Sequence, residues 1–160
     1  MLPTGDVEDL GGLDEIPEDE CWKLLASQPV GRLAMIVGHY PVVLPVNHGV
    51  ISGGIVFRTG PGTKLWSITR NNVSFEVDCI DPEWRTGWSV LVKGSAHELS
   101  AGRVDSRLLS LAAGKTPTPW VPGLKDHLVR IVADSITGRR IRAAAYADAL
   151  NKEEADVPMP

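Results

Sequence analysis

The sequence predicts a mainly β fold with flanking helices, built as a small β-barrel or a sandwich. Several short apolar segments are separated by turns rich in glycine and proline, a spacing typical of antiparallel strands. Residues 73–79 alternate strictly, with Val73, Phe75, Val77 and Cys79 expected on one face. A long strand is predicted over residues 88–99, and Gly94 in its middle indicates a bend of the kind that curves a barrel wall.

Size and charge narrow the possible classes of protein. A chain of 160 residues is long enough for one domain with a real core, or for one subunit of an intertwined dimer. The net charge is −4 with no basic block, which argues against nucleic acid as a partner. The apolar runs are too short to span a bilayer, and the first residues do not resemble a signal peptide. We therefore expect a cytoplasmic protein that does not bind membranes.

The ends of the chain differ in composition from its centre. Residues 1–15 are acidic and glycine-rich, and we expect a mobile arm or one that is ordered only against a partner subunit. Residues 146–160 form an acidic tail that is predicted to be disordered. The folded domain is therefore predicted to span residues 16–145.

Helices and strands can be assigned in order along this domain. Pro17 and three acidic residues after it suit the first turn of a helix, which Pro29 ends. Further helices are predicted over 62–71 and 105–113, and three prolines make 116–123 an extended connection carrying Trp120. The predicted strands are 31–37, 42–47, 55–59, 73–79, 88–99 and 128–132, with a further segment at 136–141; the first three should form an antiparallel meander.

The stretch from Ile55 to Lys64 carries the most informative pattern. A strand ends in Arg58-Thr59, a turn follows through Gly60-Pro61-Gly62, and Lys64 lies at the start of the predicted helix. Arginine offers a planar fork of donors to phosphate oxygens, lysine offers a compact charge, and a helix start adds free N–H groups. These residues predict a phosphate-binding site, and the alternative is a hairpin turn with solvated cations.

The sequence carries no self-sufficient catalytic constellation. Its four histidines are scattered without ligand spacing, so no metal site is expected. No serine lies in a nucleophile elbow and no cysteine lies beside an evident base, so no catalytic residue is assigned. An enzyme of this kind would take its reactivity from a cofactor.

A cofactor site can be outlined around the predicted phosphate site. Pro45 cannot donate a ladder hydrogen bond, so it belongs at a strand edge, at a bulge, or where a ligand covers the backbone. Pro45-Val46-Asn47 could present backbone groups and one amide to the edge of a flat heterocycle, while Trp88 and Ser89 could close over it. The alternatives are a core role for Trp88 and a turn-capping role for Asn47.

At these residues the chain resembles the pyridoxamine 5′-phosphate oxidase-like superfamily of flavin- and deazaflavin-binding split barrels. The resemblance extends over about residues 29–140. It is carried by Gly31-Arg32-Leu33-Ala34, Pro45-Val46-Asn47, Phe57-Arg58-Thr59 with Thr63-Lys64, Phe75-Glu76-Val77-Asp78, Thr86-Gly87-Trp88-Ser89-Val90 and Ile136-Thr137-Gly138-Arg139. It implies a six-stranded antiparallel split β-barrel of the FMN-binding type, and a homodimer with two cofactor sites at its interface.

The resemblance also implies roles for individual residues. Arg58, Thr59 and Lys64 would hold the phosphate of FMN. The isoalloxazine would be lined by Pro45, Val46 and Asn47, and the cofactor-binding set includes Phe57. Trp88 and Ser89 are the candidates contributed by the second subunit, with Trp120 and Arg139 as further possibilities.

Three functions follow from the resemblance. The first is an FMN-dependent oxidoreductase that passes hydride or electrons to a small substrate. The second is a deazaflavin-dependent reductase, whose longer acidic tail would need further cations such as Arg70. The third is a flavin-binding carrier or sensor without turnover. Pyridoxamine phosphate itself is not the expected substrate, because no histidine accompanies Arg139-Arg140, whereas the true oxidases use an arginine and a histidine there.

Overall fold

A computed structural model describes residues 13–62, 68, 72–102, 104–120, 123 and 125–141. In chain order its elements are β1 (Leu13–Ile16), α1 (Glu18–Ser27), β2 (Val30–Val37), β3 (Tyr40–Ile51), β4 (Gly54–Thr59), β5 (Asn72–Asp81), β6 (Thr86–Leu99), α2 (Ser106–Lys115) and β7 (His127–Ile141). Neither of these helices is long and apolar enough to cross a membrane.

Six of the strands close into an antiparallel barrel. The order of the sheet is β1-β7-β4-β3-β2-β5-β6, and a further pairing between β6 and β7 closes the ring. Strand β1 lies outside the ring and pairs with the end of β7. The mainly β prediction and the six-stranded barrel implied by the resemblance are therefore both confirmed, as is the meander of β2, β3 and β4.

The strands are longer than the sequence predicts, and the largest extensions are in β3 and β7. β3 runs on through Gly49 to Ile51, because its last residues pair with β4. β7 is one strand of 15 residues where two segments were predicted. A register shift allows this continuity, since Lys93 pairs with Ser135 and Gly94 with Ala133. The irregularity lies at the glycine where a bend was predicted.

The core fills the inside of the barrel and continues under both helices. Buried apolar side chains of the main cluster include Leu33, Ile55, Phe57, Phe75, Val77, Val90, Val129 and Ile131. Helix α1 closes one side with Cys21 and Leu25, which are both fully buried. Helix α2 covers a second cluster on the outside of the sheet, made of Ile51, Val56, Leu99, Ala112 and Leu128.

Three local predictions differ from the structure or lie outside it. The last residues of the predicted arm form part of β1, because the free edge of β7 at Gly138–Ile141 offers backbone partners to Leu13–Ile16. Cys79, predicted to face the core, is exposed near the end of β5. Residues 1–12 and 142–160 lie outside the described residues, as does most of the helix predicted over 62–71; Ile68, which is described, is buried.

Candidate cofactor cleft between strands β3 and β4

The barrel wall opens where β3 and β4 separate. The two strands pair from Ile51 opposite Gly54 as far as His48 opposite Phe57. The residues of β3 before His48 pair with β2 instead. The residues of β4 after Phe57, Arg58 and Thr59, pair with β7. Pro45 therefore lies where β3 has one strand neighbour, an edge position that tolerates a residue without an N–H.

A cleft of about 230 Å³ lies between the separated strands. Its described lining consists of Pro45, Val46, Asn47, Phe57, Arg58, Thr59, Gly60, Pro61, Pro119 and Lys125. Six of the nine residues predicted to bind a cofactor are in this set. They come together because residues 45–47 and 57–59 lie at and just beyond the point where the pairing of β3 with β4 ends.

The cleft is positively charged in the part of the chain that the structure describes. Arg58 and Lys125 line it, and no carboxylate is among its described lining residues. Thr59 is buried and is, like Arg58, a lining residue of the cleft. A guanidinium, an ammonium and a hydroxyl group around a small cleft suit a phosphate oxyanion better than a neutral or cationic ligand.

The Asn47 side chain is held by the protein on both sides. Its Nδ2 donates to the Pro29 carbonyl at 3.3 Å, and its Oδ1 accepts from the Trp120 backbone N–H at 3.0 Å. The amide thus joins the start of β2 to the proline-rich connection after α2. A ligand beside Asn47 would meet mainly its backbone, so the side chain supports the wall of the cleft.

The residue after Asn47 connects the cleft to helix α1. His48 is only 5% exposed, and its Nε2 donates to the Leu25 carbonyl at 2.9 Å. Its ring meets Phe75 edge-on, with the centroids 4.9 Å apart. Burial lowers the pKa of His48 below the ordinary value of 6.5. Because a carbonyl can only accept, Nε2 carries the proton, and Nδ1 is left buried without a hydrogen-bond partner among the described residues.

The remaining predicted residues lie elsewhere. Trp88 pairs with Cys79 on β5 and with Arg140 on β7, packs against the main core, and lines a separate cleft of about 260 Å³. Ser89 pairs with Asp78 and Arg139. The first cleft lies at the other end of β7, where His127 pairs with Thr59. Some 13 residues of strand, roughly 40 Å, separate the two ends.

The other residues named in the sequence analysis either lie outside the described residues or have contacts away from the interior of the cleft. Lys64 and Arg70 lie outside the described residues. Arg140 donates to the Glu20 carboxylate of α1 at 2.7 Å, which ties the end of β7 to that helix. The Trp120 side chain is 70% exposed, although its backbone is anchored at Asn47 in the cleft wall.

Sequence reasoning missed Lys125 and Pro119 as lining residues. Lys125 matches no motif in the sequence. It reaches the cleft because β7 starts beside the end of β4, with His127 opposite Thr59. The available signal was a cation three residues before the predicted strand 128–132, which does not identify a site by itself.

Comparisons with known proteins agree with this architecture. The family model described as pyridoxamine 5′-phosphate oxidase matches residues 17–140. The uncharacterized protein Rv0080 of Mycobacterium tuberculosis is 36% identical over 135 residues, which cover 81% of this chain and 86% of that protein.

Two solved structures share the fold. The FAD binding protein from Mycobacterium smegmatis is 38% identical with a TM-score of 0.69, and the match covers 81% of this chain and 98% of that one. A FAD-binding protein from Mesorhizobium loti is 25% identical with a TM-score of 0.62, covering 81% of this chain and 99% of that one. Because the family model spans most of the barrel, this chain belongs to the pyridoxamine 5′-phosphate oxidase-like family of split-barrel proteins.

Proposed function

We propose that the chain is a flavin-dependent oxidoreductase, with the phosphate of FMN, or the equivalent phosphate of a larger flavin, in the cleft between β3 and β4. The observation that carries this proposal is the convergence of Pro45, Val46, Asn47, Phe57, Arg58 and Thr59 on one positively charged cleft. The flavin-binding neighbours from Mycobacterium smegmatis and Mesorhizobium loti support the choice of cofactor.

Different residues of the cleft would bind different parts of the cofactor. Arg58, Thr59 and Lys64 would hold the phosphate, and the backbone of Pro45 and Val46 would lie along the edge of the ring system. The flavin, when bound, supplies the redox chemistry. The described lining offers no carboxylate or histidine as an acid or base. The chain would accordingly bind and orient the cofactor and shield it from water.

A second subunit would complete each site. Trp88 and Ser89 lie too far along the barrel to reach the cleft of their own chain. Exposed apolar side chains occur beside both places, with Val43 near Pro45 and Ile80 and Trp84 near Trp88. Surfaces of this kind favour contact with another protein surface. We therefore propose a homodimer in which Trp88 and Ser89 of one subunit approach the cleft of the other.

The first test is an absorbance spectrum of the purified protein, with mass spectrometry of the small molecules released by heating. We expect flavin bands, or their appearance after the addition of FMN. A protein that neither contains nor takes up a flavin would contradict the proposal. Tighter binding of a deazaflavin than of any flavin would favour the reductase alternative.

The second test concerns turnover. A nicotinamide donor should transfer a hydride, and thus two electrons, to the bound flavin, and an added acceptor should then reoxidise it with the same two electrons. Bleaching and recovery of the flavin absorbance would report both half-reactions under anaerobic conditions. Flavin that no nicotinamide donor reduces, and that transfers no electrons to any acceptor, would favour a carrier or sensor.

A further inference from the structure

The barrel wall also opens between β2 and β5. Strand β2 pairs with β5 from Arg32 to Ala34, and then continues beside β3 as far as Val37. Strand β5 begins at Asn72, and this end of it pairs with β6. Because β2 and β5 separate beyond Ala34 and Ser74, their facing edges have no ladder partner there among the described residues.

A groove of about 330 Å³ occupies this opening, and we call it the β2–β5 groove. It is larger than the cleft of about 230 Å³ between β3 and β4, and it shares no described lining residue with that cleft. Its volume lies within the range of pockets that hold small molecules. The groove is therefore a separate candidate site.

A β-bulge brings Asp134 to this groove. Lys93 of β6 pairs with Ser135 of β7, and Gly94 pairs with Ala133. Asp134 is therefore an extra residue of β7 without a partner on β6, and a bulge of this kind changes the direction of a side chain. Asp134 lines the groove although β6 lies between β7 and β5 in the sheet.

Lys93 and Asp134 are the two charged residues of the described lining. Both are exposed, and neither forms an ion pair with the other or with another described residue. Asn72 and Ser74 add an amide and a hydroxyl group to the same groove. A simple anion or cation would lie beside a like charge here, whereas a ligand that carries both charges would complement both residues.

The groove also offers apolar surface to a ligand. Ile36 is 48% exposed, and Pro41 lies directly opposite it on β3. Both residues line the groove. An aliphatic group placed against them would remove apolar area from water.

We propose that the β2–β5 groove binds a small zwitterion of the α-amino acid class. Its carboxylate would lie at Lys93, its ammonium group at Asp134, and its aliphatic side chain against Ile36 and Pro41. This site goes beyond the proposed flavin chemistry and does not depend on it, because the two sites have no described lining residue in common.

Leucine and two truncated analogues separate the contributions of the two charges. Isocaproate keeps the carbon skeleton of leucine but lacks the ammonium group, and isoamylamine lacks the carboxylate. We would titrate each compound into the isotope-labelled, full-length protein and follow the backbone amides by NMR. Leucine should shift the amides of Ile36, Ser74 and Gly94. Each analogue should bind about fivefold more weakly or worse, because it lacks one charge-assisted contact.

Two variants should each change the recognition of one charge. Asp134→Asn should weaken the binding of leucine and isoamylamine about fivefold without weakening that of isocaproate. Lys93→Met should weaken the binding of leucine and isocaproate by a similar factor without weakening that of isoamylamine. The matched controls Lys115→Met and Glu83→Gln remove exposed charges outside the described lining, and they should bind leucine like the parent.

Two results would overturn the inference. The first is the absence of amide shifts around the groove at about 10 mM leucine. The second is equal affinity of the parent for leucine and both analogues, which would show that the groove does not recognise the charges. This comparison uses the parent alone, so it decides the question even if a variant fails to fold. Flavin binding, measured on the same sample, reports separately on the proposed function.

Discussion

The side-chain oxygen of Asn47 accepts a hydrogen bond from the backbone N–H of Trp120 at 3.0 Å, across 73 positions of the sequence. The same amide donates to the Pro29 carbonyl. One side chain on β3 therefore fixes both the start of β2 and the connection that forms the rim of the cleft. The shape of the cleft depends on this residue even if its side chain never touches a ligand.

Replacing Asn47 by Ala should loosen that connection. Two hydrogen bonds are lost, and the expected decrease in the free energy of unfolding is about 1–3 kcal/mol. The Trp120 amide should also exchange with solvent much faster, which hydrogen exchange measures directly. Asn72→Ala is the matched control, because Asn72 is exposed at the start of β5. An unchanged exchange rate at Trp120 would contradict the role given to Asn47.

His48 should make the stability of the protein depend on pH. Burial lowers its pKa in the folded state below 6.5, so the unfolded chain takes up a proton at a pH where the folded chain does not. The contribution of neutral His48 is therefore fully present above about pH 6.5 and is lost as the pH falls from there towards the lowered pKa. The expected loss is at most about 1.4 kcal/mol per pH unit in this window.

Urea unfolding between pH 5 and pH 7 would measure this dependence. His48→Gln keeps a donor for the Leu25 carbonyl but cannot titrate, so its unfolding free energy should vary less with pH than that of the parent. His39→Gln, in the exposed turn between β2 and β3, should keep the dependence of the parent. Equal pH dependence in the parent and in His48→Gln would refute the assignment.

Two glycine substitutions should have opposite effects on stability. A methyl group at Gly94 would overlap the Val132 carbonyl, where β6 and β7 shift register. Gly94→Ala should therefore destabilise the fold by about 2 kcal/mol or more. Gly114 lies in α2 with open space around it, so Gly114→Ala should stabilise the protein by up to about 1 kcal/mol. Thermal unfolding of both variants would show whether the signs are correct.

Mixing two defective subunits would test the shared site. Arg58→Ala/Lys64→Ala removes the two cationic side chains proposed to bind the phosphate. Trp88→Leu removes the indole while keeping an apolar side chain against the core. Each variant alone should bind flavin poorly. If their subunits mix at random, a mixed dimer contains one intact site, so about a quarter of the sites should recover. Flavin binding that does not exceed that of either variant alone would contradict a site built from two subunits.

Local patterns in the sequence predicted most of the fold. The alternation over 73–79 and the turns around the first three strands depend on neighbouring residues, and the structure confirms those strands. The residues 45–47 and 57–59 were assigned to one site, and the β3–β4 pairing brings them together in one cleft. The resemblance to a known family contributed the closed barrel, which composition left open against a sandwich.

Features that depend on pairing between strands distant in the sequence could not be predicted from local sequence patterns. Lys125 lines the cleft because β7 pairs with β4, a contact between residues almost 70 positions apart. The unbroken course of β7 similarly depends on the register shift against β6. Cys79 satisfies the alternation of β5 but is exposed near the end of the strand. In each case the local pattern is compatible with more than one tertiary environment.

The affinity of the Arg58→Ala/Lys64→Ala variant for FMN tests the central claim most directly. Each charge-assisted contact to a phosphate is worth about 1.5–3 kcal/mol, so the double variant should bind FMN about a hundredfold more weakly, or worse. Lys93→Ala/Arg107→Ala removes two exposed cations elsewhere and should bind like the parent. If the Arg58→Ala/Lys64→Ala variant keeps its fold and binds FMN as tightly as the parent, the phosphate does not lie in this cleft.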